Sequence, residues 1–225
     1  HPNLPRIDAE HPYNEVDALV FSTLVYLPMV YVSSLKPDSE EEEARAGRKA
    51  LTVSEFGYKT LRACITGEAL CPIRGDEQHN FDRYKVAALA KGREFEILRL
   101  AGACCTCERY KDIVVSGFES VYEYDPMKSL YIQFAAAIFT LPDGVKVVAI
   151  RGTDGTLAGW REDLAMSYGR VDAQQVAHQY FVEVVQKYPT AKIAIAGHSK
   201  GGHLAVYAAL AEARLVEHLA DMGER

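Results

Sequence analysis

The stretch KIAIAGHSKGGHLAVYAAL, residues 192–210, constrains the fold more than any other part of this chain. Its first six residues are almost uniformly apolar, which is typical of a strand buried on both faces of a sheet. From Lys200 onward, apolar residues recur at helical spacing: Leu204, Tyr207, Ala208, Ala211, Leu215 and Leu219. A strand followed at once by a helix leaves only a tight turn between them, and Ser199 lies in that turn.

The spacing G-x-S-x-G around Ser199 predicts a nucleophile elbow, a strained turn that exposes a serine above a sheet edge. The neighbouring strand and helix crowd such a turn, so the positions two before and two after the serine must be small. Gly197 and Gly201 occupy these positions, and Gly202 adds further room. The helix that begins at Lys200 directs its free N–H groups and positive dipole end at the site, and the Lys200 N–H can serve as an oxyanion donor.

Two other interpretations of this turn remain open at the level of sequence. The glycines and the serine can form a plain strand-to-helix turn with no chemical role. A phosphate-binding turn is the second alternative, but it requires G-x-x-x-x-G-K-[ST] or G-x-G-x-x-G, and neither pattern is present.

A second stretch, VVAIRGTDGTLAGWREDL at residues 147–164, supports the nucleophile interpretation. It places R-G-T at the end of a predicted strand, about one strand–helix unit before the serine. A loop there can supply a second oxyanion donor, the Thr153 N–H together with its hydroxyl, and one such donor is typically worth about 10²–10³ in rate. Alternatively, Thr153 and Asp154 cap the following helix, and both roles can hold at once.

These two stretches resemble α/β-hydrolases of the class 3 lipase type, and most closely a bacterial lipase-like branch whose elbow reads G-H-S-K-G-G. The segments QFAAAIFTLPDGVKVVAIRGTD and NEVDALVFSTLVYL fit the same branch. The resemblance implies that Ser199 is the nucleophile and that Lys200 and Thr153 form the oxyanion hole. It further implies a candidate lid between Asp154 and Trp160, and a set of elbow and framework residues: Gly197, His198, Gly201, Gly202, Arg151, Asp154, Trp160 and Asp163.

Residues 110–225 have an α/β texture that fits this resemblance. KDIVVSGFESVYEY has strand composition, and SLYIQFAAAIFTLPDGVKVVAIRGTD predicts two strands joined by a turn at residues 142–144. Helical periodicity covers residues 171–188. With the resemblance, this order predicts an α/β-hydrolase-like core, a mostly parallel sheet flanked by helices, with the family pattern continuing beyond residue 225.

Residues 1–109 are predicted to be a mostly helical region that packs on this core within one structural domain. Asn14 can cap a helix whose apolar face carries Val16, Leu19, Val20, Thr23, Leu24 and Leu27. Pro28 ends or bends that helix. Further helices are expected at about Thr52–Ile65 and at about Phe81–Lys91, the latter closed by Gly92.

The chain offers no credible partner for the serine within these residues. A nucleophilic serine needs a base, and the base needs an orienting acid. His203 and His218 lie inside the helix that leaves the elbow, His198 is expected to point into the structure, and His178 lies in another helix. His1, His11 and His79 lie in regions without a clear prediction. We therefore expect the Asp and His beyond residue 225, with completion by another subunit or a non-catalytic protein as alternatives.

Composition excludes several classes of partner. The net charge of −6 argues against nucleic acid, because neutralising phosphates needs a basic surface. No apolar run reaches the roughly 18–20 residues needed to span a bilayer.

The odd number of cysteines fits a reducing cytosol better than a disulfide scaffold: Cys64, Cys71, Cys104, Cys105 and Cys107. A zinc site at Cys104 and Cys107 would need a second close pair, so free thiols with no metal or organic cofactor are predicted.

The sequence thus predicts a serine hydrolase of carboxylic esters, acting on a lipid or another small-molecule acyl ester through an acyl-Ser199 intermediate. A thioester would need the same machinery. The competing hypothesis is a non-catalytic binding or scaffold protein that retains the serine turn only as architecture.

Overall fold

The structure, a computed structural model, describes residues 3–37, 39–67, 81–84, 92–125, 127, 130–153 and 157–223. Residues 81–84 are helical, and the longer helices are α1 (Glu15–Leu24), α2 (Glu40–Arg45), α3 (Val53–Thr66), α4 (Arg93–Thr106), α5 (Leu157–Met166), α6 (Asp172–Lys187) and α7 (Lys200–Gly223). The strands are β1 (Leu51–Thr52), β2 (Val114–Asp125), β3 (Leu130–Thr140), β4 (Lys146–Ile150) and β5 (Ile193–Gly197).

The described strands form one sheet in the order β1-β2-β3-β4-β5, and the expectation of a mostly parallel, α/β-hydrolase-like sheet is wrong. The first three strand pairs are antiparallel, and among the described strands only β4 and β5 pair in parallel. Few residues separate β2 from β3 and β3 from β4, so the chain reverses at each step. Parallel pairing needs a long crossover, and α5 and α6 supply one between β4 and β5.

Helices cover both faces of this sheet. Side chains alternate along a strand, so neighbouring residues of β3 face opposite sides. Ala135, Ala137 and Phe139 join a core that also contains residues of α1, α3 and α4. Their neighbours Phe134 and Ile138 join a second core with residues of α6 and α7. The sheet therefore forms the middle of three layers.

Helix α1 begins where the sequence predicts, and its predicted packed face is confirmed at Leu24 and Leu27, which are completely buried, but not in the first turns. Asn14 caps it by accepting hydrogen bonds from the N–H groups of Val16 and Asp17. Val16 and Leu19, both predicted to be on the packed face, are 60% and 52% exposed, whereas Asp17 is completely buried. A charged residue in the first turn thus determines the orientation of this helix.

Arg109 explains why Asp17 is buried. Its guanidinium donates two hydrogen bonds of 2.6 Å to the two carboxylate oxygens of Asp17, and the Tyr110 hydroxyl donates a third of 2.9 Å. The same guanidinium also donates to the backbone carbonyls of Pro5, His11 and Pro12. This arginine therefore fixes the N-terminal segment and α1 to the chain just before β2.

Of the two further helices predicted before residue 100, the one at Thr52–Ile65 is confirmed and the next one differs from the prediction. Helix α3 has Thr52 as its N-cap and matches the predicted helix at Thr52–Ile65 closely. Of the helix predicted at Phe81–Lys91, residues 81–84 are helical and the remainder lies outside the described residues. Helix α4 starts directly after Gly92, a residue predicted to close a helix rather than to precede one.

Helices α6 and α7 follow the sequence prediction, but the burial of β5 does not. Helix α6 matches the helical periodicity of residues 171–188. Strand β5, expected to be buried on both faces, is an edge strand of the described sheet, and all of its residues are half-buried. Being at an edge, it receives less cover than a central strand.

The described cysteines Cys64, Cys104, Cys105 and Cys107 are buried free thiols, and Cys71 lies outside the described residues. Within the described part of the chain, no group of three or more His, Cys, Asp or Glu side chains could hold a metal ion. No helix among the described residues combines the length and the apolar character needed to cross a membrane.

Candidate active site

Ser199 lies in the turn between β5 and α7 with a backbone φ of 55°. Among the described non-glycine residues it alone has a positive φ. This left-handed conformation costs an L-residue roughly 1–2 kcal/mol. Hydrogen bonds on both sides hold it, since Gly201 N–H donates to His198 O and Gly202 N–H donates to Ser199 O, both at 2.9 Å. Ser199 is nonetheless exposed to solvent.

The glycines of the motif are required by close backbone packing. A Cβ atom on Gly197 would overlap the carbonyl of Gly201 and lie 2.5 Å from Gly202 N. A Cβ atom on Gly201 would overlap the carbonyl of Ile150 and lie 2.8 Å from Arg151 O. The turn is thus packed backbone to backbone against both its own strand and the end of β4.

The loop that leaves β4 lies directly against Ser199. A Cβ atom on Gly152 would overlap His198 O and lie only 3.1 Å from Ser199 Cβ. The structure therefore brings together the two stretches that the sequence pairs. Within the described residues, neither the Thr153 N–H nor the Lys200 N–H donates a hydrogen bond.

Thr153 is held by contacts that leave its N–H open. Its hydroxyl donates a 2.6 Å hydrogen bond to Asp163 Oδ2 on α5, so the hydroxyl does not serve as the second oxyanion donor in this arrangement. Its carbonyl accepts hydrogen bonds of 3.3 Å from both terminal nitrogens of Arg93. Asp163 Oδ1 is buried with no hydrogen-bond partner among the described residues.

The side chain of Lys200 points away from the serine and into the structure. Its Nζ lies 2.5 Å from Glu162 Oε2, and that carboxylate also accepts a hydrogen bond from Gln133 N–H. Burial raises the pKa of Glu162, while the Lys200 ammonium opposes that shift. The pair ties α5 to the start of α7.

His198 points into the structure and contacts Tyr26 of the N-terminal region. Its Nδ1 lies 3.0 Å from the Tyr26 hydroxyl oxygen, and the two rings meet edge to face. Burial lowers the pKa of His198, and the nearby charge of Arg93 lowers it further. His198 is therefore a neutral ring packed behind the serine.

A family model described as Mbeg1-like matches residues 104–220, which is more than half of the chain. The chain belongs to the Mbeg1-like family. No curated protein and no solved structure matches it. The part of this Mbeg1-like protein that matches contains Ser199, Lys200 and Thr153, whereas Tyr26 and Arg93 precede it.

The other residues predicted to be framework residues of the site lie in different settings. Arg151 is buried, and its N–H donates to Ala135 O across β3 and β4 at 2.8 Å. Trp160 lies on α5 and is 61% exposed. Asp154 and residues 155–156 of the candidate lid lie outside the described residues, whereas residues 157–160 form the first turn of α5.

The described histidine side chains have other partners. His203 Nε2 lies 2.9 Å from Gln174 Nε2, His178 pairs with Glu212, and His11 contacts Asp8. No described histidine makes a hydrogen bond with Ser199 Oγ. The structure does not describe His1, His79 or the side chain of His218.

Sequence reasoning missed two residues of the site, Tyr26 and Arg93. Tyr26 lies in one of the stretches that carry the family resemblance, but nothing in that stretch indicates a contact with His198. Arg93 has no local signal, because its contacts with Tyr26 and Thr153 join distant parts of the chain. The arrangement as a whole can expose a strained serine beside two open backbone donors.

Proposed function

We propose that this Mbeg1-like protein is a serine hydrolase that cleaves carboxylic esters of a lipid or another acyl ester. The observation that carries the proposal is the left-handed conformation of Ser199, at φ 55°, on an exposed turn at the start of α7. Strained residues of this kind cluster at functional sites, where the surrounding structure enforces them. Here the enforcing contacts are the backbone packing of Gly197 and Gly201.

In the proposed reaction, Ser199 Oγ attacks the ester carbonyl, a C–O bond forms and the carbonyl oxygen becomes an oxyanion. The N–H groups of Lys200 and Thr153 stabilise that charge, assisted by the positive end of the α7 dipole. Collapse of the intermediate expels the alcohol and leaves an acyl-Ser199 ester. Water then releases the acid and restores the hydroxyl.

The reaction also needs a base to take the proton from Ser199 Oγ. We infer that the base and its orienting acid come from residues beyond Arg225 or from another subunit, because His198, His203 and His178 have partners elsewhere. Without that base, a nucleophile turn and two donors support only a residual rate, roughly 10³–10⁴ over water.

The same arrangement of histidines favours a second candidate function. A protein in which no base reaches Ser199 would be a non-catalytic binding or scaffold protein that retains the turn as architecture. The buried contacts of Gly197 and Gly201 would then have a purely structural role.

Labelling of the full-length protein with a fluorophosphonate separates the two candidates. The hydrolase should be labelled at Ser199, and Ser199→Ala should abolish both the labelling and the hydrolysis of a chromogenic ester. Ser54→Ala on α3 is a matched control that should retain both. Unchanged ester hydrolysis by Ser199→Ala would exclude Ser199 as the nucleophile, and a folded wild-type protein that resists labelling would support the binding protein.

A further inference from the structure

Arg93 is the first residue of α4, and it links the N-terminal region to the Ser199 site. Its two terminal nitrogens donate to Thr153 O at 3.3 Å. Its guanidinium carbon lies 4.5 Å from the ring centroid of Tyr26, the residue that contacts His198. Two independent sets of contacts therefore hold this charge beside the turn that carries Ser199.

The guanidinium has hydrogen-bonding capacity left over. It carries five N–H donors. Two of them are directed at the Thr153 carbonyl, and the guanidinium also opposes the rise that burial causes in the pKa of Tyr26. Within the part of the chain that the structure describes, no carboxylate accepts a hydrogen bond from the other donors, and Arg93 is exposed to solvent.

Arg93 also differs from its neighbours in having no counterion among the described residues. Arg83 pairs with Glu94, and Arg99 pairs with Glu96 at 3.0 Å. The contacts of Arg93 are instead a backbone carbonyl and an aromatic ring, which leave its positive charge unneutralised. A fixed, exposed cation beside a reactive centre attracts an anionic ligand.

The charged groups around Arg93 are consistent with this role. The buried Arg151 adds a second positive charge that also acts on Tyr26. Of the two carboxylates on this part of α5, Glu162 pairs with Lys200, whereas Asp163 accepts from the neutral Thr153 hydroxyl and keeps its negative charge. Arg93 thus supplies a positive charge with no counterion among the described residues, although the chain carries a net charge of −6.

We propose that Arg93 is the specificity-determining residue of the Ser199 site and selects esters that carry a carboxylate or phosphate group near the scissile bond. This inference rests on the proposed function and names its substrate class. The planar guanidinium suits such groups because it can donate two parallel hydrogen bonds to two oxygens. The matching acyl or alcohol part of the ester would extend from Ser199 toward α4.

The test compares esters that differ only in a terminal group: the p-nitrophenyl esters of hexanoate, adipate and 6-phosphooxyhexanoate. In the full-length protein we expect kcat/KM to favour one or both anionic esters over hexanoate by about 10-fold or more, the size expected for charge-assisted hydrogen bonds. Arg93→Ala should remove this preference mainly through KM. Arg93→Lys should retain part of it, and Arg99→Ala on the same helix should retain all of it.

The ratio between esters separates specificity from positioning. Because Arg93 also holds the Thr153 carbonyl, its loss can slow every ester equally. An equal loss on all three esters would overturn the proposal and make Arg93 a positioning residue. A wild-type protein that hydrolyses hexanoate as well as the anionic esters would overturn it too. The faster anionic ester identifies the favoured group.

A binding measurement tests Arg93 without catalysis. Calorimetry on the Ser199→Ala protein would compare hexanamide with the monoamide of adipate and with 6-phosphooxyhexanamide. We expect an anionic amide to bind at least about 10-fold more tightly than hexanamide, with the difference lost in Ser199→Ala/Arg93→Ala. Such binding in a protein that hydrolyses no ester would refute the proposed function alone. Equal binding of all three amides, or binding that Arg93→Ala leaves unchanged, would refute the role of Arg93.

Discussion

The ammonium of Lys200 lies 2.5 Å from the carboxylate of Glu162, and both side chains are almost completely buried, with 1% and 2% exposed. Lys200 is the first residue of α7, where the helix dipole makes a positive charge unfavourable. The carboxylate on α5 offsets that charge and keeps the side chain away from Ser199. The residue after Ser199 can therefore present its N–H at the turn while its side chain fixes a neighbouring helix.

Lys200→Met should lower the free energy of unfolding by about 3 kcal/mol, because it leaves the Glu162 carboxylate buried without a counterion. Urea denaturation measures this change. Adding Glu162→Gln to Lys200→Met should restore most of the loss, since the orphaned charge is then gone. Equal stability of the single and double variants would show that the pair does not act as a unit.

Ser199→Gly should raise the free energy of unfolding by about 1 kcal/mol relative to Ser199→Ala, since glycine adopts a positive φ without strain. Gly144, at φ 88°, provides the converse control, because a Cβ atom there meets nothing within 4 Å. Gly144→Ala should destabilise by a similar amount through backbone strain alone. Thermal or urea unfolding of the three variants checks both signs, and a Ser199→Gly protein less stable than Ser199→Ala would contradict the strained turn.

Asp17→Asn should lower the free energy of unfolding by about 3 kcal/mol and expose the N-terminal segment to proteases, because the Arg109 guanidinium loses its buried partner. The control is Asp112→Asn, whose ion pair with Arg6 is 61% exposed on the carboxylate side and worth little. Urea denaturation and limited proteolysis measure the two effects. Similar behaviour of both variants would rule out a special role for the Asp17–Arg109 pair.

Folding stability should fall as the pH drops through about 6.5, in part because of His198. Burial holds the pKa of His198 below its ordinary value in the folded protein. As the pH falls, the unfolded chain therefore takes up a proton on His198 before the folded protein does. The stability that the neutral His198 contributes is fully present above the ordinary pKa and is lost as the pH falls below it. His198→Gln should reduce the slope between about pH 5 and pH 7. An identical slope in both proteins would exclude this contribution.

The described thiols should resist alkylation in the folded protein. Burial raises the pKa of Cys64 and Cys104 to about 12 and that of Cys105 to about 11. The reactive species is the thiolate, so iodoacetamide near pH 8 should modify these residues only after unfolding. Peptide mapping by mass spectrometry measures the modification at each site. Rapid labelling of Cys104 in the native protein would contradict its buried, protonated state.

Local sequence signals predicted the elements well and the sheet poorly. The Asn14 cap, the periodicity of α6 and the turn at residues 142–144 depend on neighbouring residues, and the structure contains all three. That turn already indicates an antiparallel pair. The expectation of a mostly parallel sheet depended on the order of strands and helices and on the family resemblance, whereas the short connections on both sides of β3 favour antiparallel pairs.

The candidate site was predictable to the extent that its residues lie in recognisable motifs. Ser199, Lys200 and Thr153 come from two such motifs, and the structure packs the two together. Arg93 and Tyr26 were not predictable, because their contacts cross the sheet edge between residues far apart in sequence. The same reason hid Arg109 as the partner of Asp17.

The strand order has a consequence for the sequence of events in folding. Strands β2, β3 and β4 are joined by short reversals, so their pairing closes only small loops and should form early. The pair β4–β5 can form only after the entire crossover through α5 and α6 has been arranged. Ser199 follows β5 directly, so its strained conformation should be among the last features to appear. A partly folded chain would then have a complete hairpin sheet and no serine turn.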